Sequence, residues 1–141
     1  MSLDNIFGIA GTALNAQLTR MNLTASNLAN QGTVNTTEAE AFRAKRPVFK
    51  AILSGEMATP GAQYIGGVKV DTIVDTINPP PKKYDPSSPL ADEKGYVYMS
   101  NVNEVTEMVE MMASARAYQN NVEVVNTARR LIMRTLEITK A

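Results

Sequence analysis

Counted in alternating steps of four and three from Leu3, the chain places Leu3, Phe7, Ala10, Leu14, Gln17, Met21, Thr24 and Leu28 on one line, and six of these eight are apolar. That repeat predicts a helix with a heptad-type seam. Gly8 and Gly11 each weaken an isolated helix by about 1 kcal/mol relative to alanine. In the first thirty residues only Asp4 and Arg20 are charged, and the polar positions are otherwise Asn, Gln, Ser and Thr. A solvated helix face usually carries Lys and Glu, so more than one side of this helix is expected to be covered. An ordinary amphipathic helix in a monomeric core is the alternative.

The last forty residues repeat the pattern. Met108, Met111, Ala115, Tyr118, Val122, Val125, Arg129, Ile132 and Leu136 form a seam with eight of nine apolar, and Val105, Val109 and Met112 add a second stripe. Asn101 followed by Glu104 predicts a capping box, with Ser100 as an alternative cap. Glu104, Glu107 and Glu110 come early and Arg129, Arg130, Arg134 and Lys140 late, an order that suits the helix dipole. Running from Val102 to Thr139, this helix would be about 57 Å long at 1.5 Å per residue. The rest of the chain is too small to cover it.

All seven prolines lie between Pro47 and Pro89, and no proline or glycine follows Ser100. The chain therefore divides into a helical segment 1–32, an extended middle 33–99 and a helical segment 100–141. In the middle, "GGVKVDTIVDTI" predicts one or two strands after a glycine bend. "RAKRPVFKAIL", Arg43–Leu53, predicts an edge strand containing Pro47. Asn78–Pro89 is expected to be extended in polyproline II, and Gly95–Met99 to pair as a short strand.

Fourteen basic and fourteen acidic side chains cancel, and the pI is about 6.3. This balance offers no footprint for nucleic acid or an anionic membrane. No cysteine and no histidine are present, which excludes disulfides, thiolate zinc sites and imidazole bases. The N-terminus lacks the basic start and unbroken apolar run of a secretory signal. No window approaches the roughly 18 apolar residues of a membrane span. Asp71, Asp75, Asp92 and Glu93 are read as structural or solvated carboxylates rather than an acid–base pair. "YIGGVK" is read as a turn and not a phosphate loop, and "RAKRPVFK" as a charged strand edge. Met108, Met111 and Met112 suit either a core or an adaptable binding surface. No catalytic residue, metal ligand or cofactor site is expected.

Four stretches carry a family likeness: "NIFGIAGTALNAQLTRMNLTASNLAN" (Asn5–Asn30), "FRAKRPVF" (Phe42–Phe49), "GGVKVDTIVD" (Gly66–Asp75) and the run from "YDPSSPLADEKGYVYM" at Tyr84 through "NVNEVTEMVEMMASARAYQNNVEVVN" to Ile138. In this order they resemble the flagellar basal-body rod protein family, and within it the C-type proteins of the proximal rod. The loop Gln31–Ala41 departs from the family pattern in being rich in Thr and Glu. The resemblance implies a non-enzymatic subunit of the drive shaft, exported through the flagellar type III apparatus without a cleaved signal and resident in the periplasmic part of the basal body. Implied partners are other proximal and distal rod subunits and the junction protein at the rod base. A cytosolic helical adaptor or chaperone for type III cargo is the alternative function.

The expected fold is mainly α, with long terminal helices paired as an antiparallel coiled coil and a small β-containing, proline-rich middle. The assembly interface is expected at Leu3, Phe7, Leu14, Met21, Asn27, Leu28 and Asn30 on the first helix. On the second it is expected at Met108, Met111, Met112, Tyr118, Val122, Val125, Ile132 and Leu136. Asn30 and Gly32 are expected to end the first helix because both tolerate the left-handed conformation. Asn27 and its polar neighbours would bond between packed helices without the desolvation cost of a charge.

Overall fold

The computed structural model describes residues 3–52 and 66–140, with side chains at 5–52 and 66–138. In chain order the elements are α1 (Leu3–Ala29), β1 (Val34–Asn35), β2 (Lys45–Ala51), β3 (Val68–Asp75), β4 (Lys82–Tyr84), β5 (Tyr96–Met99) and α2 (Glu104–Lys140). One antiparallel sheet has the order β1-β5-β4, and β2 with β3 makes a second, two-stranded sheet.

Both helices form where the sequence repeats at helical spacing, but their ends are set differently from expectation. The φ angles of Asn30 and Gly32 are not positive, so neither residue adopts the left-handed conformation. α1 instead closes in tight turns: the amides of Asn30 and Gln31 donate to the carbonyls of Asn27 and Leu28. The Asn30 side chain donates to the Ser26 carbonyl at 2.8 Å and the Thr33 hydroxyl to the Asn30 carbonyl at 2.8 Å. Side-chain donors thus satisfy carbonyls that a glycine cap would otherwise have met. At α2 the cap is Asn103, whose Oδ1 accepts from the Thr106 amide at 3.0 Å, and the helix starts at Glu104 rather than Val102. Asn101 and Ser100 are not available as caps because their side chains are bonded elsewhere. Asn101 accepts from the Ala44 amide and donates to Thr76 Oγ1 and the Asn78 carbonyl, and the Ser100 hydroxyl donates to the Gln31 carbonyl.

β2 and β3 pair in register from Lys45 with Asp75 to Ala51 with Val68, with an irregularity at Val48 and Phe49. Leu53, at the end of the expected strand, lies outside the described residues, as do Tyr64 and Ile65 of the turn. Gly66 and Gly67 open β3 with φ of 98° and 131°. The bend is pinned to α1 by Thr12, which donates to the Ile9 carbonyl and accepts from the Val68 amide at 3.2 Å. Part of the stretch expected in polyproline II is strand β4, because Lys82–Tyr84 find backbone partners on β5.

The expectation of a mainly α chain with its terminal helices paired as an antiparallel coiled coil is overturned. About half of the described residues are helical and about one fifth are strand, in two antiparallel sheets, which makes the chain α/β. The reason lies in what is buried. α1 divides its surface between α2 and the sheet of β2 and β3. The helix positions that are buried are Ala10, Ala16, Thr24, Asn27, Glu107, Ser114 and Ala128. These are small or polar residues, and a coiled-coil seam needs bulky apolar knobs.

The internal core is correspondingly modest. The largest fully buried side chains are Glu107, Val97, Asn27, Thr24 and Ser114, and only one of the five is apolar. α2, with 37 residues, is about 55 Å long at 1.5 Å per residue. A compact globule of this chain length would be only about 37 Å across. The helix therefore runs beyond what the remaining elements can cover.

A polar knot beneath an exposed apolar helix face

Asn27 sits two residues before the end of α1 and is fully buried. Its Oδ1 accepts from the Lys45 amide at 2.9 Å, and its Nδ2 donates to the Lys45 carbonyl and to Glu107 Oε2, each at 3.0 Å. One amide side chain thereby joins α1, the first residue of β2 and the first turn of α2. Arg46, next along β2, completes the knot. Its Nη2 pairs closely with Glu107 Oε1, and its Nη1 lies 3.5 Å from Oε2. The Glu107 carboxylate is 1% exposed. A buried carboxylate is tolerated because both oxygens are bonded and a guanidinium offsets the charge. Beside it, Arg20 of α1 lies over the Phe49 ring at 4.8 Å, a contact that adds a further tie between helix and strand.

The basic run at Arg43–Lys50 is therefore committed inward in part, with Arg46 serving as the counterion of Glu107. The acidic candidates do structural work at Asp92, whose Oδ1 accepts from the amides of Lys94 and Tyr96 and shapes the turn before β5. On β4, Lys82 has its pKa raised from the ordinary 10.5. The chief cause is its hydrogen bond with the Tyr98 side chain, followed by the charge of that group. Among the described residues no group of three or more acidic side chains is placed to hold a metal ion, and no helix is long and apolar enough to cross a membrane.

The line of α2 that faces inward contains Glu107, Met111, Ser114, Tyr118, Asn121, Val125, Ala128 and Ile132, all buried or half-buried. The sequence seam shares Met111, Tyr118, Val125 and Ile132 with it. At the alternate positions it chose Met108, Ala115, Val122 and Arg129, one residue further on. Met108 and Arg129 are exposed. The missed residue Glu107 stood four before Met111, one helical turn from a residue of the seam, which is the signal that would have found it. Arg46 and Asn101 had no such signal, since their partners are remote in sequence.

Among the expected interface residues, Asn27 is buried within the chain, and Phe7, Leu14, Met21, Leu28, Asn30, Val122 and the four shared positions are half-buried. Met108, Met112 and Leu136 are exposed. The side chain of Leu3 lies outside the described residues. Two exposed apolar stretches run along α2. Val105, Met108, Val109 and Met112 make the first, with Val105 71% exposed. Val124, Leu131 and Ile138, with Met133 and Leu136 near them, make the second, and Ile138 is 78% exposed. Between the second stretch and the start of α1 lies a groove of about 400 Å³ lined by Ile6, Val124, Thr127, Ala128 and Leu131 together with Asn120 and Glu123. Asn27 meets Glu107 at one end of the helices and Ile6 lies by Ala128 and Leu131 at the other, so the two run in opposite directions.

A chain with a small core, in which polar side chains stand beside alanines, Ile52 and Val97, and a long helix left apolar on its outside has the build of an assembly subunit. Residues 93–138 match the family described as the C-terminal part of flagellar basal body rod FlgEFG proteins. Over 138 residues the chain is 47% identical to the flagellar basal-body rod protein FlgC of Escherichia coli O6:H1, covering 98% of each. It is 46% identical to that of Salmonella typhimurium over 98% of each chain. Identity to that of Buchnera aphidicola from Acyrthosiphon pisum is 44%, over 99% of this chain and the whole of the relative. The chain belongs to the flagellar basal-body rod protein FlgC family. It is a structural rod subunit of a family that is not a family of enzymes, and these relatives give no support to a cytosolic adaptor or chaperone.

Proposed function

We propose that the chain is built into the proximal rod of the basal body, joins its neighbours through the exposed faces of α1 and α2, and carries torque as part of the shaft. The observation that supports this reading most directly is the exposure of Val105, Val109, Met112, Leu131 and Leu136 on one long helix while the buried positions of both helices are alanines and polar groups. Contiguous apolar surface of this kind marks an interaction site. The half-buried Phe7, Leu14, Met21, Leu28, Asn30, Met111, Tyr118, Val122, Val125 and Ile132 belong at its margins, with Met108 and Met112 at its centre. Asn27 contributes from beneath by fixing the helix ends. The neighbours are other rod subunits and the junction protein at the rod base. Delivery is through the flagellar type III apparatus, without a cleaved signal, into the periplasmic rod. None of these contacts calls for a cofactor.

Val109→Asp and Met112→Asp place a charge on this face without touching the buried knot. Each variant is expected to keep the helical circular dichroism of the parent, to be missing from isolated basal bodies and to leave cells non-motile. Normal motility with both would overturn the reading.

A further inference from the structure

The groove at the far end of α2 has a chemistry that narrows what fills it. Its floor is Ala128, its walls are Ile6, Val124 and Leu131, and it opens to the surface. Along one flank, an adjoining hollow of about 570 Å³ is lined by Arg129, Arg130 and Arg134 with Glu123 and Glu137. Glu123 lines both hollows and holds Arg130 at 2.6 Å, in a pair that is two-thirds exposed on each side. Such a pair is worth little and exchanges readily for a better-placed carboxylate. Arg129 and Arg134 make no ion pair among the described residues.

Resting on the rod-subunit reading above, we propose that this groove seats one helix of a neighbouring axial subunit, namely a helix that opens with carboxylates beside an apolar stripe. Three features select that occupant. The groove runs along α2 as a shallow apolar channel, the shape into which an amphipathic helix lays its i, i+3 and i+7 side chains. The adjacent arginines complement acidic residues at a helix opening, where carboxylates are also favoured by the helix dipole. The chain's own α2 opens in this manner, with Glu104 beside the exposed stripe of Val105, Met108, Val109 and Met112. The construction the groove requires is therefore one that this class of subunit carries. A contact between the end of one helix and the opening of another is head-to-tail, and such a contact repeats into an open filament when its rotation does not close into a ring.

The test uses the full chain in the cell. A benzophenone amino acid at position 131 is irradiated in intact basal bodies, and the captured peptide is identified by mass spectrometry. Position 124 serves as a second probe in case the first disturbs folding. The expected adduct is a helix-opening segment with Glu or Asp next to an apolar stripe. Its yield should fall several-fold when Arg130→Glu and Arg134→Glu are introduced together. A captured strand, proline-rich loop or basic segment overturns the inference, as does no adduct from either probe with the subunit present in the basal body. In those cases the rod-subunit reading stands. Absence of the parent chain from basal bodies would bring down that reading and the inference with it.

Discussion

Asn27 donates to the carboxylate of Glu107 across 3.0 Å, joining residues 80 apart in sequence at a point where both are shut off from water. The same amide closes two hydrogen bonds with the backbone of Lys45. The pair fixes where α1 ends relative to where α2 begins. On the α1 side it does so with an amide, which has no charge to desolvate, while Arg46 offsets the charge of Glu107.

Replacing Asn27 with leucine removes all three bonds at once, strands the Lys45 backbone and leaves Glu107 Oε2 only its long 3.5 Å contact with Arg46. Each buried group left unpaired costs about 1–3 kcal/mol. Urea denaturation of the purified chain is expected to show a loss of at least about 2 kcal/mol, with less soluble subunit in cells. An unchanged midpoint would mean that the amide is not the tie described.

Arg46 and Glu107 are unequal partners, since the arginine side chain is 33% exposed and the carboxylate 1%. Arg46→Ala leaves a buried carboxylate with no counterion, a change that typically costs about 3–5 kcal/mol, here toward the lower end because the arginine is partly solvated. Arg46→Met with Glu107→Leu together should recover much of that loss, because an apolar replacement of a buried pair is often neutral. A double-mutant cycle by chemical denaturation measures the coupling, and simple additivity would refute it.

Glycines 32 and 67 make a contrast. A methyl group on Gly67 would stand 2.9 Å from the Thr12 hydroxyl at a φ of +131°, whereas one on Gly32 meets nothing within 4 Å and needs no positive φ. Gly67→Ala is expected to destabilise by about 1–3 kcal/mol. Gly32→Ala should be neutral, or gain about 0.4–1 kcal/mol from a less flexible unfolded chain. Thermal melts of the two variants read the difference, and the opposite order would place the strained glycine at the end of α1.

Two asparagines before α2 also separate by role. Asn103→Ala removes the helix cap and should cost about 1 kcal/mol. Asn101→Ala frees the Ala44 amide, Thr76 and the Asn78 carbonyl together, so its loss should exceed that of the cap. Hydrogen exchange would show the Asn101 variant opening at the edge of β2 and β3 and the Asn103 variant opening only at the first turn of α2. Equal local effects would return the cap to Asn101.

The repeat of apolar residues, the confinement of proline to the middle and the near absence of charge in the first thirty residues were enough to place both helices and the strands β2, β3 and β5, but not β4. They also indicated that one chain cannot cover its own apolar surface. These are local properties, fixed by spacing and by what a side chain can do beside its sequence neighbours. Tertiary structure alone decided the rest. A seam of alternating threes and fours fixes a helix face only to within one residue, or about 100° of rotation. The sequence leaves Met108 open between a core and a binding surface; in the fold the buried positions on that line are Glu107, Ser114 and Ala128, with Met111, Tyr118, Val125 and Ile132 half-buried between them, and Met108 stands outside. That Glu107 can be buried at all depends on Asn27 and Arg46, whose arrival from opposite ends of the chain is set by how its elements pack and by no local signal.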